Sequence, residues 1–238
     1  MRKENLLKHF GVTFGEKRAL KTMPTDTDLT PSQHRQSPKA YRLMELGKTP
    51  IKVERLRHCL KSYPNKIDAH ILLDGFTNGF KVNYMGPRQS VNCSNLISAK
   101  QQESELEEKI MKEIQVGRIA GPFKNKPFSN LRLSPIGLVA KKPPPVSKTH
   151  GWRMIQHLSY PLGSSINTFI YPQLTTVQYT SLDKVLGTIS KLGKGAEQAR
   201  MDIVSAFRLL ILHPDQFVLF GFRFEDNFYF QKALPMGC

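Results

Sequence analysis

Acidic residues are scarce in this chain of 238 residues: 19 Asp and Glu stand against 35 Lys and Arg, a formal net charge of +16. An excess of one sign this large repels itself unless a polyanion neutralises it. The imbalance therefore favours nucleic acid as a partner, and the alternative is that the lysines only solvate the surface. The length is enough for one substantial hydrophobic core.

Cysteine is rare, and apolar runs of membrane-spanning length are absent from the sequence. Cys59, Cys93 and Cys238 are odd in number, and their spacing fits neither a zinc knuckle nor a disulfide framework. The N-terminus has only Leu6-Leu7 before more charge, which is too short for the core of a signal peptide. We therefore expect reduced thiols in an intracellular protein, cytoplasmic or nuclear, that is not secreted and has no membrane partner.

Three regions follow from composition. Residues 1–50 are basic and polar with no sustained period, which predicts a disordered leader. Residues 51–94 alternate short apolar pieces with turn residues, which predicts a small connector region. Residues 95–238 contain the longer periodic elements. The charge of the leader either assists contact with nucleic acid or reflects only an upstream segment of a longer polyprotein.

A helix and a hairpin are predicted early in the third region. Ser98 is expected to cap a helix that buries Leu106, Ile110 and Ile114 and ends at Gly117. Residues 136–140 and 152–155 then form two strands joined by a basic, proline-rich loop. Lysine and arginine at the tip of this hairpin supply charge and donors to phosphate oxygens, although an ordinary solvated tip is the alternative.

A single carboxylate interrupts an apolar stretch further on. Residues 199–207 are predicted to form an apolar strand with Asp202 at its middle, where a carboxylate is costly unless it is paired, hydrogen-bonded or metal-bound. Before this strand, Ser181 is expected to cap a helix that ends at Gly193 or Gly195 and buries Leu182, Val185, Leu186 and Ile189. After it, two aromatic strands form a hairpin about residues 225–227.

Six sequence fragments, in this order, resemble the opening motifs of reverse transcriptases. They are most similar to those of DIRS-type retrotransposons, which pair a reverse transcriptase with a tyrosine recombinase. The fragments are residues 94–98, 117–123, 134–139, 152–153 with 157–161, 202–207 and 234–237, and the resemblance covers roughly residues 95–238.

The resemblance implies an α+β fold, a right-hand polymerase with fingers and a truncated palm; periodicity alone gives only a mixed domain of helices and strands. It also implies an RNA-directed DNA polymerase that works by two-metal nucleotidyl transfer with Mg2+. The partners would be an RNA or DNA template-primer and deoxynucleoside triphosphates. The oligomeric state does not follow from the resemblance.

The resemblance also assigns residue roles in the palm. Asp202 matches the first catalytic carboxylate, which holds the divalent ions, and Ile203 matches a position whose carbonyl lies near the second ion. Phe207 matches the aromatic residue that packs beneath the incoming sugar and disfavours a ribose. A plain core role for Phe207 is the alternative.

In the fingers, Arg153 matches the arginine that contacts the nucleotide triphosphate. Lys141 is the best match to a lysine with the same role, although Lys142 and Lys148 also fit. Met236 and Gly237 match the turn that passes beside the nascent base pair. Methionine replaces a polar residue there, which puts a hydrogen-bonding role in doubt.

One departure from the family pattern is large. Family members supply their remaining carboxylates from a Tyr-x-Asp-Asp hairpin, and this sequence contains no Asp-Asp pair. Glu225 and Asp226 are poor substitutes because they are expected at a hairpin tip. We therefore expect a truncated chain that is inactive alone. A catalytically dead remnant that binds nucleic acid is one alternative, and an unstable product with an exposed sheet edge is another.

Overall fold

The structure, a computed structural model, describes residues 43–141, 151–175, 179–199 and 201–238. Helices and strands are mixed along the chain, and most of the predicted leader lies outside the described residues. The α-helices are α1 Val53–Leu60, α2 Lys66–Asn78, α3 Ile97–Gln101, α4 Glu103–Gln115, α5 Pro172–Thr175 and α6 Leu182–Leu192. The strands are β1 Ile119–Phe123, β2 Ile136–Ala140, β3 Trp152–Gln156, β4 Gly221–Phe224 and β5 Asn227–Gln231. Short 3-10 helices lie at Asn167–Phe169, Ala206–Leu209 and Pro214–Leu219.

The strands form two small antiparallel sheets. One sheet has the order β1-β5-β4, and its hairpin turns at Glu225, which has a φ of 50°. The other is the two-stranded hairpin β2-β3, in which Val139 lies opposite Arg153. Both hairpins were predicted from the sequence, and the structure confirms them. Strand β1 is irregular between Ala120 and Phe123, where its register with β5 shifts.

The β4-β5 hairpin is buried on both faces, because its aromatic side chains alternate between two apolar clusters. On one face Phe222 stacks on Tyr229 with ring centroids 5.2 Å apart, beside Leu106 of α4. On the other face Phe230 stacks on Phe123 at 5.8 Å. The hairpin is therefore the central layer of the described core.

Residues from the predicted connector region belong to the same apolar cluster as the later part of the chain. Phe76 and Phe80 pack with Phe217 in that cluster. The backbone N–H of Phe80 donates to the Ile211 carbonyl at 2.7 Å, and the His213 N–H donates to the Phe80 carbonyl at 3.0 Å. The connector thus shares its core with residues 95–238.

The long helix predicted from Ser98 to Gly117 is two helices, and this prediction is wrong in one respect. The break lies at Gln102, whose φ of −130° and ψ of 50° are not helical. Ser98 lies inside α3 and caps nothing; its Oγ accepts from the Leu138 N–H of β2 at 3.0 Å. The predicted apolar face is confirmed, because Leu106 and Ile110 are buried.

The predicted strand around Asp202 is also wrong. Residues 201–203 have no regular secondary structure, and Met201 and Val204 are 93% and 83% exposed. Ser205 has a left-handed backbone with φ 54°, and a 3-10 helix follows it. The physical reason is that no described strand pairs with residues 201–205, so their apolar side chains have no sheet face to cover.

Helix α6 matches its predicted ends but not its predicted burial. The Lys184 N–H donates to Ser181 Oγ at 3.3 Å, and Gly193 ends the helix with a φ of 80°. Leu182 and Leu186 are nevertheless 70% and 53% exposed. Neither apolar cluster of the described core includes them, so the burial prediction is wrong. Within the described ranges, no helix is long and apolar enough to cross a membrane.

Replacing Phe230 by alanine should lower the free energy of unfolding by about 3 to 5 kcal/mol, because a fully buried ring is lost from the central layer. The matched control is Leu162→Ala, at a side chain that is 93% exposed. The control should change stability by less than about 0.5 kcal/mol. Equilibrium urea unfolding measures both, and equal losses would contradict the two-sided burial of β5.

Candidate functional site

An open cleft of about 610 Å³ lies beside the β2-β3 hairpin. Its walls come from the hairpin, the C-terminal half of α4, the segment 204–208, strand β5 and the turn at 235–236. The lining residues are Lys109, Lys112, Glu113, Arg118, Lys141, Trp152, Arg153, Met154, Gln156, Val204, Ser205, Phe207, Arg208, Gln231, Pro235 and Met236. Elements that are distant in sequence therefore share one solvent-accessible space.

Four of the residues singled out from the sequence line this cleft. Arg153 and Lys141 reach it from the hairpin, Phe207 from the 3-10 helix at 206–209, and Met236 from the following turn. The Lys141 N–H donates to the Gly151 carbonyl at 2.7 Å, which extends the strand pairing to the edge of the cleft. The other candidate lysines, 142 and 148, lie outside the described residues.

Asp202 and Ile203 are not lining residues of the cleft. Both are exposed, and the first lining residue after them in the sequence is Val204. Gly237 follows the lining residue Met236, and its carbonyl accepts from Asn167 Nδ2 at 2.8 Å. An open cleft does separate the basic hairpin from the segment after Asp202, but the carboxylate itself lies outside its wall.

The described residues contain no cluster of side chains that could hold a divalent ion by themselves. Magnesium is usually held by one or two carboxylates, phosphates and water in octahedral geometry. Asp202 offers one exposed carboxylate, and the described ranges contain no group of three His, Cys, Asp or Glu side chains that could hold a metal. Glu225 and Asp226 lie at the tip of the β4-β5 hairpin, as expected, and Asp226 pairs with Arg223 at 2.9 Å.

The cleft is strongly cationic. Five lysine and arginine side chains besides Arg208 line it, and Glu113 is the acidic residue among its lining. Lys109 pairs with Glu105 at 2.6 Å, outside the cleft lining. In the part of the chain that the structure describes, Lys112, Lys141 and Arg153 have no ion pair. Cations without carboxylate partners in a concave surface attract polyanions.

Arg208 is the most connected side chain of the cleft. Its Nε donates to Glu113 Oε2 at 3.0 Å, and Nη2 donates to the same oxygen. Its Nη1 donates to Gln231 Oε1 at 2.9 Å and to the Ala233 carbonyl at 3.0 Å. Burial lowers the pKa of this guanidinium, and the charge of Glu113 opposes the shift. The group stays a cation because arginine does not deprotonate in proteins.

Two buried glutamines continue this polar network under the cleft. Gln231 Nε2 donates to Gln156 Oε1 at 3.2 Å, and Gln156 Nε2 donates to the Gly221 carbonyl at 2.9 Å. The network therefore runs from α4 through β5 to β3 and β4. Sequence reasoning missed it. Its signal was that Gln156 and Gln231 each follow a run of apolar or aromatic residues in a strand, where a buried polar side chain needs a partner.

The cations of α4 were also missed as site residues. Lys109 and Lys112 line the cleft, although their sequence positions fit the water-facing side of an amphipathic helix. The helical period separates a solvent face from a core face. It does not show that the solvent face borders a cleft made by other elements.

No protein-family model and no curated protein matches this chain. Solved structures of the protease-reverse transcriptase of foamy viruses are similar to it at low identity. The prototype foamy virus CSH mutant is 15% identical with a TM-score of 0.43, over 81% of this chain and 26% of that one. The foamy viral complex with an RNA/DNA hybrid is 18% identical with a TM-score of 0.41, over 81% and 26%. The complex with dsDNA is 16% identical with a TM-score of 0.39, over 82% and 40%. This chain thus spans between about a quarter and two-fifths of their length.

Replacing Gln156 by leucine should lower the free energy of unfolding by about 1 to 3 kcal/mol, because the side-chain N–H of Gln231 loses its acceptor in a buried place. The Gly221 carbonyl keeps the Ser134 N–H as a donor. The control is Gln115→Leu on the exposed side of α4, where no change beyond about 0.5 kcal/mol is expected. Chemical unfolding of both variants gives the comparison. A neutral Gln156→Leu would show that the network contributes nothing to stability.

Proposed function

We propose that this chain provides the nucleotide- and template-binding cleft of an RNA-directed DNA polymerase. The observation that carries the proposal is the convergence of Lys141, Arg153, Phe207 and Met236 on one cleft. Arg153, Phe207 and Met236 come from three different sequence fragments that resemble reverse transcriptases, and Lys141 follows a fourth. Lys141 and Arg153 belong to one hairpin, whereas Phe207 and Met236 reach the cleft from two later segments of the chain.

The cations suit a triphosphate. Lys112, Lys141 and Arg153 are exposed to the cleft and form no ion pair among the described residues, so their charge is available to a ligand. Hydrogen bonds from lysine and arginine to phosphate oxygens are charge-assisted and stronger than neutral ones. Arginine adds a planar fork that matches two oxygens, and lysine adds a compact point charge.

The aromatic residues suit the rest of a nucleotide. Phe207 is half-buried and lines the cleft, so part of its side chain remains available to a sugar. Trp152 lines the same cleft from β3, and indole rings stack on bases of any sequence. A cleft that combines cations with aromatic surface fits a nucleotide or a single strand better than it fits an inorganic anion.

Nucleotidyl transfer needs bound metal ions in addition to a cleft that binds the nucleotide. In the family that the chain resembles, bound magnesium ions activate the primer hydroxyl and stabilise the leaving pyrophosphate. The described residues offer one exposed carboxylate, Asp202, for this role. We therefore propose that this chain binds its ligands without extending a primer on its own.

A second candidate is a nucleic-acid-binding protein with no polymerase role. The cationic cleft and the lack of a carboxylate cluster in the described residues favour it. Such a protein would bind a duplex or single strand with a steep salt dependence and would not distinguish deoxynucleoside triphosphates from inorganic tripolyphosphate. The polymerase cleft should prefer the nucleotide, because it also contacts the sugar and the base.

Arg153→Gln should weaken the binding of dGTP about tenfold or more, because a charge-assisted contact to phosphate is lost. Trp152 is the single tryptophan of the chain and lines the cleft, so its fluorescence reports the titration directly. The control is Arg223→Gln, which removes an exposed arginine from the β4-β5 tip and should leave affinity unchanged. Equal losses in both variants would mean that net charge, not this cleft, binds the nucleotide.

Primer extension on an RNA template, with magnesium and all four deoxynucleoside triphosphates, should give no incorporation above the Asp202→Ala background. The reason is the incomplete set of described carboxylates. Incorporation that Asp202→Ala abolishes would contradict the proposed inactivity and place Asp202 in the reaction. Incorporation that survives the substitution would remove Asp202 from the mechanism.

A further inference from the structure

We propose that Arg208 is a positioning residue that sets the width of the cleft, by holding the segment 204–207 against α4 and β5. The inference rests on the proposed function for its meaning, since the cleft is the proposed nucleotide site. Its structural content can be measured without any ligand.

The guanidinium of Arg208 contacts three separate partners. Its donors meet Glu113 on α4, Gln231 on β5 and the carbonyl of Ala233 just after β5. Each of the first two partners is itself a lining residue of the cleft. One side chain therefore joins three stretches of the wall that are separate in sequence.

The segment 204–207 has few other attachments. The chain is exposed through Ser205, half-buried from 206 to 209, and fully buried only from Leu210. No described strand pairs with residues 201–205. Phe207 packs against the larger apolar cluster, and the Arg208 contacts follow directly after it. The Arg208 contacts join the segment to α4 and to Gln231 of β5, and Val204 and Ser205 depend on them for their place in the wall.

Glu113 is a carboxylate in a cleft that we propose to bind anions. On simple electrostatics it opposes the ligand, because a like charge within about 4 to 6 Å disfavours an anion. Its Oε2 accepts from both Nε and Nη2 of Arg208, and its Oε1 lies 3.7 Å from Arg118 Nη1. The carboxylate thus serves as the anchor for Arg208, at a cost to the positive potential.

Glu113 as a repelling charge and Glu113 as an anchor predict opposite changes in anion affinity for Glu113→Met. If electrostatics alone governs binding, removing the carboxylate tightens the binding of inorganic tripolyphosphate. If Glu113 anchors Arg208, the wall relaxes and the same ligand binds about tenfold more weakly. Glu113→Gln keeps an acceptor for Arg208 without the charge, so it should bind more tightly than Glu113→Met.

A measurement without ligand isolates the geometry. Val204 is 83% exposed and lines the cleft, so Val204→Cys carries a bimane dye in a background where Cys59, Cys93 and Cys238 are serine. Contact quenching of the dye by Trp152 then reports the distance across the cleft. Arg208→Lys should reduce the quenching although it keeps the charge, because a lysine cannot make the three-way contact.

The matched control is Arg223→Lys, at an exposed arginine of the hairpin tip, which should leave quenching unchanged. Circular dichroism at the working temperature establishes that each variant is folded. Where Arg208→Lys is not folded, Glu113→Met takes its place in the same assay.

The outcomes separate the two proposals. Unchanged quenching in folded Arg208→Lys, or tighter tripolyphosphate binding by Glu113→Met, overturns the positioning role. A parent protein that binds neither dGTP nor tripolyphosphate overturns the proposed function. Reduced quenching in that same protein would still establish that Arg208 positions the segment.

Discussion

The contact between Arg208 and Glu113 is the interaction on which the described cleft depends. Two opposite charges lie in a partly buried place, where each compensates the desolvation of the other. Removing Glu113 leaves the charge of Arg208 uncompensated, which costs far more than the pair contributes as a whole. The pair links α4 to the 3-10 helix at 206–209, and the other donors of Arg208 reach Gln231 and the Ala233 carbonyl at the end of β5. The cleft wall and the core are therefore held by one set of hydrogen bonds.

The β4-β5 hairpin gives the Arg208 contacts a rigid support. The β4-β5 hairpin is packed on both faces, with Phe222 and Tyr229 towards α4 and Phe230 towards the larger cluster. Close packing on both sides resists small displacements. Gln231 at the end of β5 is therefore a fixed acceptor for Arg208, and Gln156 fixes Gln231 in turn. These polar side chains therefore connect the packed core to the wall of the cleft.

The Asp202 segment shows where reasoning from sequence fails. Its apolar residues match the pattern of a buried strand, yet Met201 and Val204 are almost fully exposed. A strand requires a neighbouring backbone, and hydrophobicity along one segment carries no information about that neighbour. The same limit applies to α6, whose cap at Ser181 is local and correctly predicted. Its burial is non-local and wrongly predicted.

The sequence by itself determined the local features: the two hairpins, the apolar face of α4, the cap at Ser181 and the excess of positive charge. These follow from side-chain period, turn residues and composition, which act over a few residues. Only the tertiary structure decided that Lys112 borders the same cleft as Arg153, and that Arg208 meets Glu113 and Gln231. Such contacts depend on how separate elements pack, and that packing is settled by the whole core rather than by any one segment.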